Sequence, residues 1–295
     1  MRYRPFGVSG KAVSAVSLAM SEVYRSQPAA QWRNLAIAAL ESGVNAFEVT
    51  DGSPQAADGL RQALESLERR LVFLAWRVPG DGRSPLDARR LQQCVRDSLQ
   101  QTGGAYLDLL VVDEAAYATM SSEASRLLED LRRSDLVLAA AIAGSGAVVD
   151  QALAEGRFDA LVSPYNLTTG WATRRRIREA SLANIAVIGA EAFPPALCAQ
   201  PAQSPSRPSL FRRPGPSATT AGPYGFLHDT RGWEADELCL AYAMTEPALA
   251  TIQIEASRPE VIERLALVPD RELPTGLAAQ IEMARIDSEN PTPRG

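Results

Sequence analysis

Short, continuous apolar runs alternate along the chain with segments that have helical spacing. The runs Leu-Asp-Leu-Leu-Val-Val at 107–112 and Leu-Val-Leu-Ala-Ala-Ala at 136–141 are typical of strands covered on both faces, which belong to parallel sheets. Eight strand–helix units follow one another, and this repetition predicts one closed (β/α)8 TIM barrel over residues 1–295. An open doubly wound sheet is the alternative, but no Gly-x-Gly-x-x-Gly follows the first predicted strand.

Apolar runs and turn residues also predict the individual segments. Residues 3–6 and 12–16 flank Gly-Val-Ser-Gly-Lys, which predicts an N-terminal β-hairpin. Residues 200–223, rich in Pro, Ser, Thr and Gly, predict either a mobile loop or a docking segment or ligand clasp, and residues 288–295 predict a flexible tail. The barrel strands are predicted at 17–20, 46–49, 71–78, 107–112, 136–141, 160–163, 185–189 and 251–254.

Composition and charge narrow the classes of function. The net charge of −5 and the isoelectric point of about 5.2 do not suggest binding to nucleic acid or to an anionic membrane. Cys94, Cys198 and Cys239 lack the spacing of a metal site, so no metal is expected. An odd number of cysteines without a secretory leader, and the lack of a run of about 20 apolar residues, predict a cytoplasmic protein.

Charged residues stand at the ends of three consecutive predicted strands. Glu48, Arg77 and Asp113 lie at or beside these carboxyl ends, where barrel enzymes carry their chemistry. We therefore expect the three side chains to converge. One interpretation is a salt-bridge network that keeps the pocket folded, because removal of one member would leave another unpaired. The other is a polar ligand site or an acid–base centre that uses Glu48 or Asp113.

Several segments together resemble the aldo-keto reductases. They are Tyr-Arg-Pro-Phe-Gly-Val-Ser-Gly-Lys at 3–11, Gly-Val-Asn-Ala-Phe-Glu at 43–48, Val-Arg-Asp-Ser-Leu at 95–99, Ser-Pro-Tyr-Asn-Leu at 163–167 and Ala-Ser-Arg-Pro-Glu at 256–260. They occur in the order of that family, from about residue 2 to residue 286. The resemblance implies a TIM barrel with a nicotinamide dinucleotide across the strand ends.

The family reduces carbonyls with a Tyr, a Lys, an Asp and a His at the barrel mouth. The resemblance assigns these positions to Ser53, Arg77, Glu48 and Asp113, so all four are replaced. A serine hydroxyl has no accessible acid pKa, and an arginine holds its protons too tightly for proton exchange. The only histidine, His228, lies in the irregular region after the seventh strand. Catalysis by the family mechanism is therefore not expected, and no residue is assigned a catalytic role.

The resemblance also assigns contacts to the dinucleotide. Several of the family's contacts are changed: its Ser-Asn pair falls on Ala143 and Gly144, its Gln on Val162, and its stacking aromatic on Ala190. Glu255 and Val261 replace basic residues near the adenosine 2′-phosphate, and a carboxylate repels a phosphate. NAD(H) is therefore a possible ligand, whereas NADP(H) is disfavoured. The candidate cofactor-binding residues are Ser21, Glu48, Gly144, Glu191, Phe193, Glu255, Ala256, Ser257 and Arg258.

The resemblance implies a catalytically inactive aldo-keto reductase homologue that acts as an NAD(H)-binding regulatory protein. It further implies control of bacterial cell division, with the tubulin-like division GTPase and a histidine kinase as protein partners. The alternative is an enzyme, redox or non-redox, with altered acid–base chemistry at Glu48, Arg77 or Asp113. A third interpretation is a scaffold that assembles through outer helices, for which the arginine run at 174–178 offers a face.

Overall fold

The computed structural model describes residues 1–22, 26–198 and 223–289. Residues 200–222 of the predicted loop and residues 290–295 of the predicted tail lie outside this part of the chain. An antiparallel hairpin is formed by β1 (Tyr3–Pro5) and β2 (Ala12–Ser14). The barrel strands are β3 (Val16–Met20), β4 (Ala46–Thr50), β5 (Phe73–Val78), β6 (Leu109–Asp113), β7 (Ala140–Ala143), β8 (Ala160–Pro164), β9 (Ala186–Ala190) and β10 (Leu249–Ile254).

These eight strands close into a parallel barrel in the order β10-β3-β4-β5-β6-β7-β8-β9. The predicted (β/α)8 barrel and the N-terminal hairpin are both confirmed. The strand predicted at 136–141 is displaced, because β7 spans Ala140–Ala143. Leu136 and Leu138 are partly exposed. Val137 forms only an isolated β-bridge with Leu107, at a point before β6 and β7 begin. An apolar run shows that a strand is present but does not define where the strand begins.

Helices cover the outside of the barrel. The α-helices are α1 (Ala29–Glu41), α2 (Pro54–Leu64), α3 (Ala88–Thr102), α4 (Glu114–Tyr117), α5 (Ser122–Arg133), α6 (Ala147–Ala154), α7 (Trp171–Leu182), α8 (Pro195–Cys198), α9 (Phe226–Asp229), α10 (Ala235–Ala243), α11 (Pro259–Ala266) and α12 (Leu277–Glu289). Short 3-10 helices span Gly7–Ser9, Arg69–Leu71 and Val268–Asp270. Within the described ranges, no helix combines the length and the apolar character needed to cross a membrane.

The helices pack closely, and one glycine explains the tightest approach. Gly59 in α2 faces α1, where a Cβ atom would lie 2.5 Å from the Cβ of Trp32 and 2.6 Å from the carbonyl oxygen of Ala29. Both distances are shorter than real Cβ contacts, so only glycine fits at this crossing. The contact holds α2, and with it the loop that follows β4, against the barrel.

The hairpin closes the N-terminal end of the barrel. Phe6 and Val13 join the apolar cluster inside the barrel, and the Phe6 ring lies 4.6 Å from that of Phe73. Beside them, Lys11 forms an ion pair with Asp108, whose other carboxylate oxygen accepts from Arg69 at 2.7 Å. Asp108 is 2% exposed, so this network is a buried structural contact.

Candidate functional site

Three charged residues meet at the opposite end of the barrel. Arg77 near the end of β5 lies between the neighbouring strands β4 and β6. Its Nε is 2.7 Å from Oδ1 of Asp113, and its Nη1 is 3.5 Å from Oε1 of Glu48. The structure therefore brings together Glu48, Arg77 and Asp113. One guanidinium is shared by two carboxylates, of which the Asp113 partner is the closer.

Glu48 is a buried member of this cluster with a perturbed pKa. It is 4% exposed, and burial raises the pKa of its carboxyl above the ordinary value of 4.5. The positive charge of Arg77 opposes this rise, as does hydrogen bonding with Gln253. Oε2 of Glu48 has no hydrogen-bond partner among the described residues. A buried carboxyl of this kind holds a proton more readily than an exposed one, and its Oε2 is itself buried.

Ser53, at the position of the family's tyrosine, has a structural role. It is fully buried, and its Oγ accepts a hydrogen bond from the backbone N–H of Glu22 at 3.0 Å. The Glu22 carboxylate in turn accepts from the backbone N–H groups of Gln55 and Ala56 in the first turn of α2. These bonds tie the β3–α1 loop to the start of α2. The hydroxyl is engaged in this connection rather than directed at a substrate.

Other side chains capable of proton transfer lie away from this cluster. Lys11 is the only lysine of the chain, and it lies in the hairpin at the other end of the barrel. Tyr117 in α4 donates its hydroxyl to Glu155 at 2.7 Å on the outside of the barrel, where burial raises its pKa to about 12. His228 lies in α9, which packs against α10. The mouth therefore lacks the family's phenol and ammonium partners in the described part of the chain.

The loop after β7 is occupied by a carboxylate that sequence reasoning missed. Oε2 of Glu114 accepts from the backbone N–H groups of Ser145 at 2.9 Å and Gly146 at 2.8 Å, at the start of α6. Gly144 has a φ of +147°, and a Cβ there would lie 2.1 Å from Oε2 of Glu114. The family's Ser-Asn pair therefore does not fit this loop. The sequence signal that could have identified this carboxylate is that Glu114 is a second acidic residue directly after Asp113.

The wall formed by β8 and β9 is apolar. Val162 is buried and Ala190 half-buried, so neither offers a hydrogen bond to a carboxamide. Beyond β9, Glu191 is exposed and has a left-handed backbone with a φ of +54°; its carbonyl oxygen accepts from Nδ2 of Asn166 at 2.9 Å. Phe193 packs against the apolar core beside it. The two positions that the resemblance assigns to nicotinamide contacts on this wall, Val162 and Ala190, therefore carry apolar side chains.

The loop between β10 and α11 carries four of the residues that the resemblance assigns to a dinucleotide. Glu255, Ser257 and Arg258 are exposed, while Ala256 is buried and anchors the loop. Arg258 is the N-cap of α11 and makes no side-chain cap hydrogen bond. The helix begins with Pro259, which has no N–H, and carries Glu260 in its first turn, so the positive charge of this loop comes from the Arg258 guanidinium. Ser21, the remaining candidate, is buried at the end of the β3 segment.

The residues that the resemblance assigns to a dinucleotide form a polar set and an apolar set. The 255–258 loop and Glu191 carry exposed polar and charged side chains directly after the neighbouring strands β10 and β9. A carboxylate at Glu255 does not fit a 2′-phosphate. Gly144, Val162 and Ala190 do not reproduce the family's contacts to the nicotinamide. No group of three metal-ligating side chains occurs in the described segments.

The arginine run on α7 is engaged in ion pairs. Arg174 also donates to the hydroxyl of Tyr242 at 2.8 Å. The side chains of Arg174 and Arg176 are mostly buried in these pairs, whereas Arg175 and Arg178 are exposed. This surface does not favour the scaffold interpretation. The pairs are Arg174–Glu282, Arg175–Glu179, Arg176–Asp150 and Arg178–Glu246.

An eight-stranded parallel barrel with an N-terminal hairpin defines a protein of the (β/α)8 class. A sequence profile of the Aldo/keto reductase family matches residues 19–286, and the chain belongs to this family. Solved structures of the aldo-keto reductase AKR11C1 from Bacillus halodurans share the fold. The holo form has a TM-score of 0.76 at 17% identity and the apo form 0.70 at 18%, each match covering 96% of both chains. Curated protein sequences give no match.

Proposed function

We propose that the protein is a catalytically inactive aldo-keto reductase homologue that acts as an NAD(H)-binding regulatory protein. The observation that carries the proposal is the pairing of Arg77 with both Glu48 and Asp113. A guanidinium neutralised by two carboxylates neither exchanges protons nor lowers the pKa of a phenol, and Ser53 supplies no phenol. The cluster supports a stable mouth for binding and lacks a proton donor of the family's type.

The 255–258 loop and Glu191 support the choice of NAD(H). Bound NAD(H) would bring a nicotinamide capable of hydride exchange, but here this chain's residues only bind and orient it. In the proposed arrangement the Arg258 guanidinium contacts the pyrophosphate, and the carboxylates of Glu191 and Glu255 accept from ribose hydroxyls. Glu255 opposes a 2′-phosphate, so NADP(H) binds more weakly.

Calorimetric titration of the purified protein with NADH and, separately, with NADPH tests this proposal. We expect binding of NADH and at least about tenfold weaker binding of NADPH, since charge-assisted contacts are worth about 1.5–3 kcal/mol. Arg258→Glu should weaken NADH binding, whereas Arg231→Glu, the same charge change at an exposed loop residue, should not. Equal affinity for both nucleotides would refute the role given to Glu255, and no binding would refute the ligand.

The proposed regulation concerns bacterial cell division and rests on resemblance in kind to KidO, a division regulator with this fold. The proposed partners are the tubulin-like division GTPase and a histidine kinase. Light scattering of the purified GTPase with GTP, with and without this protein and NADH, tests the first partner. We expect reduced polymer assembly. Unchanged assembly would refute the proposed action on the GTPase. The proposal of NAD(H) binding would not be affected, because calorimetry tests it separately.

A second candidate function is an enzyme with altered acid–base chemistry. It is favoured by one observation: burial raises the pKa of Glu48, whose Oε2 has no partner among the described residues. A carboxyl with a raised pKa keeps its proton to a higher pH than an exposed carboxyl, which suits a proton donor. This candidate predicts turnover with a pH profile that Glu48→Gln abolishes and Asp113→Asn shifts. The regulator predicts no turnover in either variant or in the unchanged protein.

A further inference from the structure

Two of the three cysteines approach each other outside the barrel mouth. Cys198 ends α8 and Cys239 lies within α10, 41 positions later, yet their sulfur atoms are 3.7 Å apart. Both are free thiols; Cys239 is fully buried and Cys198 is partly exposed. A disulfide has a sulfur–sulfur distance of about 2.05 Å, so the two atoms need to approach by roughly 1.6 Å. Small side-chain rotations cover such a distance.

The two thiols differ in reactivity. A hydrogen bond from Cys239 lowers the pKa of Cys198, although its burial and the Asp236 carboxylate oppose this shift. The same hydrogen bond and burial raise the pKa of Cys239 well above its ordinary value. Thiolates, not thiols, react with oxidants, and reaction requires access. Cys198 is therefore suited to react first, and Cys239 is positioned beside it to react second.

We propose that Cys198 and Cys239 form a redox modification site at which a peroxide produces a reversible intramolecular disulfide. Cys198 thiolate attacks the peroxide O–O bond and becomes a sulfenic acid, and the departing hydroxide or alkoxide takes up a proton. The Cys239 sulfur then attacks the Cys198 sulfur: the S–S bond forms as the S–O bond of the sulfenic acid breaks, and the Cys239 thiol proton leaves with the hydroxyl group as water. The two sulfurs together lose two electrons, and the peroxide is reduced by the same two.

The disulfide has a defined structural effect. It joins α8 to α10 within the apolar cluster that also contains Leu197 and Leu238. The crosslink closes a loop of 42 residues, counted from 198 through 239, and so restricts the unfolded chain. A dithiol reductant reverses the bond, which makes the anchoring of α8 dependent on redox conditions.

Cys94 in α3 provides an internal control. Its thiol is buried and donates to Oδ2 of Asp51 at 3.3 Å. Burial, together with the Asp51 carboxylate, raises the pKa of Cys94 to about 12. This thiol remains protonated, so it should resist a peroxide that oxidises Cys198. The chain thus carries one reactive pair and one unreactive cysteine.

The test treats the reduced full-length protein with a small excess of hydrogen peroxide and maps the cysteines by alkylation and peptide mass spectrometry. We expect a Cys198–Cys239 crosslink, one free thiol at Cys94, and a melting temperature raised by roughly 5–10 °C that dithiothreitol reverses. Three free thiols after treatment would overturn the proposal. So would over-oxidation of Cys198 with Cys239 left free, or a disulfide formed only between molecules.

Variants separate the two roles. Cys239→Ser should leave Cys198 as a sulfenic acid that dimedone traps, because the second sulfur is gone. Cys198→Ser should prevent oxidation at this site, and Cys94→Ser should still form the crosslink. Before oxidation, iodoacetamide should modify Cys198 about tenfold faster than Cys94 or Cys239. Equal rates at the three positions would contradict the assignment of Cys198 as the attacking thiol.

Discussion

Replacement of Glu48 by Gln removes a buried carboxyl at the barrel mouth whose pKa is raised. Burial raises the folded-state pKa of Glu48 above 4.5, so between these two values the folded chain keeps a proton that the unfolded chain has lost. This contribution to stability is complete below about pH 4.5 and is lost as the pH rises through the folded pKa. Each unit of elevation is worth about 1.4 kcal/mol.

The side-chain amide that Glu48→Gln introduces does not ionise. Arg77 keeps its closer partner, Asp113, at 2.7 Å. The free energy of unfolding of the variant, relative to that of the unchanged protein, should therefore increase with rising pH. The increase is as much as about 1.4 kcal/mol for each pH unit between 4.5 and the folded-state pKa of Glu48. Urea unfolding at about pH 5, 6 and 7 measures this difference. Glu263→Gln, the same change at an exposed site in α11, is the matched control. Parallel pH profiles for Glu48→Gln and the unchanged protein would refute the reasoning.

Three further changes test the fold and the ligand. Asp108→Ala leaves two cations beside the barrel floor unpaired, and urea unfolding should show a loss of about 3–5 kcal/mol; a loss below about 1 kcal/mol would contradict the network. Gly59→Ala should lower the melting temperature, whereas Gly170→Ala, where a Cβ meets nothing within 4 Å, should not; equal effects would argue against the tight helix crossing. Glu255→Arg should shift nucleotide preference toward NADPH by about tenfold in calorimetry, and an unchanged preference would place the 2′-position elsewhere.

Much of the fold was predictable because its signals are local. Continuous apolar runs followed by helical spacing define the strand–helix units, and a charged residue near the end of a run lies at the mouth of a parallel barrel. Glu48, Arg77 and Asp113 could therefore be grouped from the sequence alone. The residue at which β7 begins could not be predicted, since Leu136 and Leu138 are as apolar as the strand itself.

The details that depend on contacts between loops could not be predicted. Glu114 fills the space beside Gly144, and Ser53 bonds to the backbone of Glu22, because separate loops meet at the strand ends. No spacing of residues along the sequence predicts either contact. The approach of Cys198 to Cys239 likewise depends on the packing of α8 against α10. Side-chain direction and loop geometry decide such contacts, and both arise only in the folded chain.

Carbonyl-dependent oxidation of NADH and NADPH by the purified protein tests the central claim most directly. With a panel of aldehydes and ketones, the account predicts no oxidation above the rate without protein, because Ser53 and Arg77 cannot supply a proton. Sustained turnover would contradict the account. Loss of that turnover in Glu48→Gln, but not in Glu263→Gln, would assign the chemistry to the buried carboxyl.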